Sequence, residues 1–228
     1  MEEDKNVVYL PTYDYAFKNY NYRLMMILLY DFTYTQPCGD NPYKRLDKYR
    51  YKRFKKEMIT KYKKTDRSWN RDFKKMIELG FIKEETDHYK IYNRNPIAND
   101  KGRYEGFRTF SRSLIEQMIN DDLTTKEIRA FIFIFYQCYD WKSNSVKEKH
   151  IVLEYIAEVF GTSKGHHSFR DYIGYRPCEH NYEYDDEKKI GILSRLEEMN
   201  YIKIRKQKNK YDNGNFNINN YFFIPLLR

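Results

Sequence analysis

Apolar residues recur at helical spacing over much of this chain, and the clearest instance lies in Thr65–Tyr92. Trp69, Phe73 and Met76 fall on one side of a predicted helix with Ile77 beside them, while Arg67, Asn70, Arg71 and Lys74 fall opposite at i, i+3, i+4 and i+7, flanked by Lys75. One face is built to pack and the other is cationic. Thr65, Asp66 or Ser68 can cap the helix, because a short side-chain oxygen accepts a first-turn amide that has no partner inside the helix. Gly80 then supplies the left-handed residue on which many helices end. Phe81–Lys83 and Tyr89–Tyr92 read as two strands around a polar tip, Glu84–His88.

Upstream, Val7–Pro11 is an extended edge segment, and Tyr22–Tyr34 is apolar on nearly all sides, as a buried helix is. Gln36–Pro42 is a loop, and Tyr43–Lys64 is predicted helical throughout, with Tyr51, Phe54, Met58, Ile59 and Tyr62 on its core side. A buried helix, a loop, two basic helices and a hairpin make the order of a winged helix-turn-helix.

Downstream, Phe107–Ile119 reads as a strand or turn followed by a helix, and a second helix follows Thr124, which has capping-box spacing to Glu127. Ile151–Phe160 and Asp186–Met199 are further predicted helices, separated by an irregular insertion. Tyr201–Lys206 and Phe216–Pro225 close the chain as a hairpin with a basic tip. The blocks MIELGFIK, from Met76, and LEEMNYIK, from Leu196, match in kind at most positions, and both place an αL-tolerant residue, Gly80 or Asn200, at the helix end. The fold class expected is therefore mainly α with small β-hairpins (α+β), as two tandem winged helix-turn-helix domains: 1–95, a linker at 96–106, and 107–228 with an insertion at 162–185.

Charge sharpens this picture. The 228 residues carry a net charge of +9, and 33% of them are charged and 18% aromatic, a balance unlike either a disordered polyelectrolyte or a membrane protein. Between Tyr43 and Lys75, fifteen Lys and Arg face four Asp and Glu, a local +11 that exceeds the charge of the whole chain. Such a concentration points to a polyanionic partner, and the helix Arg67–Lys75 offers Arg and Asn to base edges while Lys44–Lys64 meets phosphates. The residues expected to contact double-stranded DNA are Lys52, Lys55, Lys56, Lys63, Lys64, Arg67, Ser68, Asn70, Arg71, Lys74 and Lys75, with Lys188, Arg195, Arg205, Lys206, Lys208 and Lys210 in the second half. The second wing fits phosphate or a minor groove, and equally a solvated loop tip. The first wing carries Glu84, Glu85 and Asp87 and is expected to stand clear of the DNA backbone.

Other chemistry is excluded on spacing. His166, His167, Cys178 and His180 match no standard zinc arrangement, and three cysteines without paired spacing suggest free thiols in a reducing compartment. No Gly-rich phosphate loop with Lys-Ser/Thr appears, nor a metal-holding His-hydrophobic-His pair, so no enzymatic activity, cofactor or metal is expected. No apolar run approaches the ~20 residues that span a bilayer, and the acidic start MEEDKN is unlike a signal peptide, so the expected location is cytoplasmic.

On the blocks MIELGFIK and LEEMNYIK, the capped helix from Thr124 and the start at Leu10-Pro11, the chain resembles the tandem winged-helix replication initiators of bacterial plasmids and phages. The resemblance implies non-catalytic binding at repeated or palindromic origin sites, often as a homodimer and with host replication proteins as further partners. A winged-helix transcriptional regulator is one alternative. A phage-type interaction module that binds a host protein is another. The insertion inside the second helix-turn-helix departs from the family pattern and puts DNA reading by that domain, as against dimerisation through it, in question.

Overall fold

The computed structural model describes residues 7–31, 35–36, 43–61, 64–92, 106–140, 142–143, 145–152, 155–156, 192–210 and 216–225. They form α-helices and small antiparallel sheets in two compact units, Met1–Thr125 and Lys126–Arg228.

In the first unit, β1 (Val7–Pro11) pairs antiparallel with β6 (Phe107–Ser111), Val7 opposite Ser111 and Pro11 opposite Phe107. Between them in sequence come α1 (Asp14–Asn19), α2 (Tyr22–Asp31), β2 (Thr35–Gln36), β3 (Tyr43–Asp47), α3 (Lys48–Lys61), α4 (Asp66–Glu78), β4 (Ile82–Glu84) and β5 (His88–Tyr92), and α5 (Arg112–Asn120) follows β6. Strands β2, β3, β5 and β4 make one sheet in that order. Helix α2 is buried from Tyr22 through Leu29, as its uniform apolar character requires, and the Tyr22 hydroxyl donates to the Pro11 carbonyl at 2.7 Å.

Two sequence expectations change here. The segment Tyr43–Asp47, predicted as the start of a helix, is strand β3: Leu46 is buried while its neighbour Arg45 is exposed, and Leu46 lies opposite Tyr89 in the register with β5. Its period of two is hidden in a lysine-rich composition, and only the pairing partner some forty residues away reveals it. The strand-helix pair β6–α5, predicted to open the second domain, belongs to the first unit, because β6 completes a ladder with β1 and α5 packs against α2. The predicted linker at 96–106 lies outside the described residues except for Gly106, whose carbonyl accepts from the Thr12 amide at 2.9 Å.

The second unit opens with α6 (Thr125–Cys138), in which Ile128 and Ala130 through Phe135 are all buried. Short strands β7 (Tyr139–Asp140) and β8 (Ser145–Val146) pair, and β9 (Lys149–His150) joins a sheet of order β10–β11–β9. Helix α7 (Ile192–Glu198) precedes the hairpin β10 (Lys203–Lys210) and β11 (Phe216–Phe223). Gln207–Lys210, predicted as the hairpin's tip, continues β10, with Lys210 opposite Phe216. The insertion at 162–185 lies outside the described residues, and so do Cys38, Cys178 and the histidines at 166, 167 and 180. Within the predicted helix Ile151–Phe160, only Tyr155 and Ile156 are described as helical. Cys138 is buried, and burial pushes its thiol up to about 12, so it is inert at neutral pH.

The two matched blocks adopt the same turn. Gly80 has φ 77° and Asn200 φ 62°. Amides of Gly80 and Phe81 reach the carbonyls of Ile77 and Met76 at 2.9 and 3.0 Å, and those of Asn200 and Tyr201 reach Glu197 and Leu196 at 2.9 and 2.8 Å. Each closes a helix through one left-handed residue and a backward 6→1 bond. The aromatic that follows, Phe81 or Tyr201, is buried, as is the isoleucine after it. In both units the strand before the helical segment pairs with the far strand of the hairpin, β3 with β5 and β9 with β11.

Gly80→Ala should therefore destabilise the fold by about 1–2 kcal/mol, since a Cβ at positive φ meets the following carbonyl. Asn200→Gly should keep or raise stability. Urea denaturation of the two variants beside the wild type checks both signs.

Candidate nucleic-acid interface

Helix α4 is the element that sequence singles out, and its rotation about its own axis is set by what it buries. Trp69, Phe73 and Met76 are buried, and the Trp69 indole donates to the Tyr51 hydroxyl at 3.1 Å. Tyr51 and Phe73 lie 4.6 Å apart by ring centroid, and Tyr89 stands edge-on to both at 5.1 Å. This aromatic knot joins α3, α4 and β5. Thr65 caps the helix: its Oγ1 accepts from the Ser68 amide at 3.1 Å, with φ −90° and ψ 151°.

With that face inward, Arg67, Asn70, Arg71, Lys74 and Lys75 are all exposed. Among the described residues Arg67 and Lys75 have no ion-pair partner. Arg71 reaches Asp72 at 3.2 Å and Lys74 reaches Glu78 at 3.8 Å, yet their side chains remain 77% and 78% exposed, so solvent or a ligand has access to both. On α3, Arg50, Lys52, Arg53 and Lys56 are exposed as well, Arg53 pairing with Glu57 at 2.9 Å. Tyr49 stands 87% exposed in the first turn of α3, three and four residues before Lys52 and Arg53. The sequence reading overlooked it, although its place opposite Tyr51, Phe54 and Met58 on the helix could have flagged it.

Several other expected contacts are held within the fold. Ser68 is half-buried and its hydroxyl donates to the Thr65 carbonyl at 3.0 Å, which makes it part of the cap. Lys55, only 18% exposed, bridges to Asp66 at 2.7 Å and to the Asn70 carbonyl oxygen at 2.6 Å. Lys64 is half-buried beside Asp72 at 3.6 Å. Burial pushes its ammonium below the usual lysine value, Asp72 pulls it back, and Arg23 and Arg71 add repulsion. Lys63 and Lys188 lie outside the described residues.

The first wing differs from expectation. Glu84 pairs with Lys48 at 2.6 Å, Asp87 with Arg45 at 2.6 Å, and Glu85 with Lys90 and Lys83 at 3.0 and 3.2 Å. Four cations thus meet three carboxylates, and the tip presents no net negative face to a polyanion. Hydrogen bonds from His88 to Asp87 and from Lys90 to Glu85 hold both carboxyl groups below the usual range.

In the second unit Arg195 donates to Glu127 at 3.0 Å, and Glu127, the residue with capping-box spacing, is buried. Arg205 grips Glu148 with two nitrogens, at 2.7 and 2.8 Å, and lies over the Tyr221 ring at 4.4 Å. Lys206 is exposed, whereas Lys208 and Lys210 are described only as backbone in β10. The cations of this unit that sequence reasoning offered to DNA are thus partly engaged in holding α6 to α7 and β10 to Glu148, the residue before β9.

Among the described residues no group of His, Cys, Asp and Glu could hold a metal ion, and no helix is long and apolar enough to cross a membrane. No protein-family model, no curated protein and no solved structure matches the chain. The fold class stands as α+β with small antiparallel sheets, and the site rests on its own geometry.

Arg195→Met, which removes the arginine from the buried Glu127, should cost about 2 kcal/mol in urea denaturation. Lys64 gives a pH signature. Its folded pKa is lowered from 10.5, so the unfolded chain binds more protons just below that value and stability rises with pH there. The stability of wild type relative to Lys64→Met should rise with pH through the alkaline range, measured by urea denaturation of both proteins.

Proposed function

We propose that this chain is a non-enzymatic, sequence-specific double-stranded-DNA-binding protein with two winged-helix units in tandem, and that α4 of the first unit enters the major groove. The observation that carries the reading is the division of α4 into two faces: Trp69, Phe73 and Met76 inward, and Arg67, Asn70, Arg71 and Lys74 outward. A helix presented this way offers bidentate donors to guanine. Arg50, Lys52 and Lys56 on α3 then meet phosphates and set the orientation without reading sequence.

Element order supports the same architecture. A buried helix, two paired strands, two helices and a hairpin, with the second of those strands added to the hairpin's far side, describe the first unit from α2 to β5. The turn shared by Gly80 and Asn200 supports its duplication. Within that class the reading extends to replication initiation at repeated or palindromic origin sites in the cytoplasm of a bacterial host, by a homodimer that engages host replication proteins. The first unit is the principal reader, because Arg195 and Arg205 of the second are tied to Glu127 and Glu148.

The test is fluorescence anisotropy with labelled duplexes. The combined change Arg67→Glu, Arg71→Glu and Lys74→Glu should weaken duplex binding by about 100-fold or more, with Tm within about 2 °C of wild type because all three are exposed. With roughly six cations on phosphates, affinity should fall as about the fifth power of salt concentration. Unchanged affinity in the triple variant, or binding indifferent to salt, defeats the proposal.

A further inference from the structure

Arg71 and Asp72 are neighbours on α4, and the guanidinium folds back on the carboxylate: Arg71 Nε and Nη2 both donate to Asp72 Oδ1, at 3.3 and 3.2 Å. Asp72 is itself anchored. Its side chain is only 17% exposed, and its second oxygen, Oδ2, lies 3.6 Å from the ammonium of Lys64, just before the helix and 15% exposed. One sheltered carboxylate thus ties a sheltered lysine to an arginine whose side chain stands 77% exposed.

A guanidinium has two paired edges, Nε with Nη2 along its side and Nη1 with Nη2 across its end, and they use different protons of Nη2. Asp72 takes the side edge, so the end edge keeps both of its parallel donors. Among the described residues Nη1 of Arg71 makes no hydrogen bond, and the side chain that carries it is open to solvent. Two parallel donors complement guanine, whose N7 and O6 both accept on the major-groove edge. Adenine and cytosine each place an amino donor there, and thymine a methyl group.

The neighbours of Arg71 on the outward face are less suited to this task. The Asn70 amide oxygen accepts from Lys55 at 2.6 Å and its nitrogen donates to Asp66 at 2.8 Å, which occupies the oxygen–nitrogen edge that a paired contact with a base needs. Arg67 is exposed and has no ion-pair partner among the described residues, so its guanidinium gives up more freedom on binding than one already held.

We infer that Arg71 is the guanine-reading residue of α4, and that Asp72, anchored by Lys64, is the positioning residue that aims its end edge. The inference rests on the DNA-binding reading above and deepens it. It also gives Lys64 a different task from the phosphate contact its charge suggests. A fork aimed in advance loses less side-chain freedom on meeting its base, and that advantage falls on guanine, whereas a cation acting through charge alone serves any sequence.

The test is selection from a random duplex pool with full-length wild type, Arg71→Ala and Asp72→Asn, followed by anisotropy on the selected duplex. Wild type should enrich sites with a guanine at a position where Arg71→Ala shows no base preference, a loss of about 5- to 150-fold in discrimination. Replacing that guanine by 7-deazaguanine, which lacks N7, should weaken wild type and leave Arg71→Ala unchanged. Asp72→Asn keeps the side-chain volume and an oxygen for Lys64 but removes a negative charge. It should bind a duplex lacking the site at least as tightly as wild type, while its preference for guanine over 7-deazaguanine falls several-fold. A merely structural role would lower both affinities together, and the preference, a ratio within one protein, does not depend on how much of that protein is folded. Arg71→Ala should melt within about 2 °C of wild type, since the side chain it truncates is exposed. If wild type selects no guanine, or the preference survives in Arg71→Ala, or 7-deazaguanine affects wild type and Arg71→Ala equally, or Asp72→Asn keeps the wild-type preference, the inference falls and DNA binding still stands. If wild type enriches no duplex at all, both fall together.

Discussion

The fully buried indole of Trp69 is the constraint on which the rest of the first unit depends. It is fixed by a hydrogen bond to Tyr51 and an edge contact with Phe54, 6.3 Å away by ring centroid. A helix whose bulkiest side chain must sit in one place cannot rotate. Every residue of α4 therefore has its direction decided by its angular distance from position 69, and Arg67, Arg71 and Lys74 lie on the far side. Phe73, between Tyr51 and Tyr89, prevents the helix from pivoting about the indole. The aromatic richness of the chain is thus used to orient cations.

Charge in this region is arranged in two tiers. Carboxylates of the wing and of the α4 start meet Arg45, Lys48, Lys55, Lys83 and Lys90, and Asp72 meets Lys64. The exposed pairs of the wing contribute little to stability, whereas Lys64 and Asp72 are largely covered. Together the pairs localise the surplus, leaving Arg50, Lys52, Lys56, Arg67 and Lys75 as exposed cations on the outer faces of α3 and α4. A concentration of uncompensated charge on two adjacent helices sets a directional field, whereas the same charge spread evenly would only keep the chain apart from its copies.

The second unit repeats the helix-to-strand turn and the strand order but not the electrostatics. Where α4 presents arginines to solvent, α7 directs Arg195 to Glu127 on α6, and β10 directs Arg205 to Glu148. Backbone geometry is shared because a helix reversing into a strand over a buried aromatic admits few solutions, and a left-handed residue followed by Phe or Tyr is one of them. Side-chain use is free to diverge, since nothing in the turn specifies what the exposed face of the helix carries.

What the sequence by itself determined is local. The two faces of α4, a cap among Thr65, Asp66 and Ser68, the left-handed Gly80 and Asn200, the buried α2 and α6, and the final hairpin all follow from spacings within one helix or turn, where geometry is periodic and each residue's direction is set by its neighbours. Tertiary structure alone decided what depends on residues far apart in the chain. β3 emerged from a lysine-rich run because Leu46 meets Tyr89, and β6 joined the first unit because its partner β1 lies about a hundred residues earlier. The same holds for which cations stay available. A lysine reads alike in sequence whether it faces water or a carboxylate, and the bridge from Lys55 to Asp66 and Asn70 exists only because two helices bring it together. Periodicity is a property of one segment, but pairing is a property of two, and a single sequence states only the first.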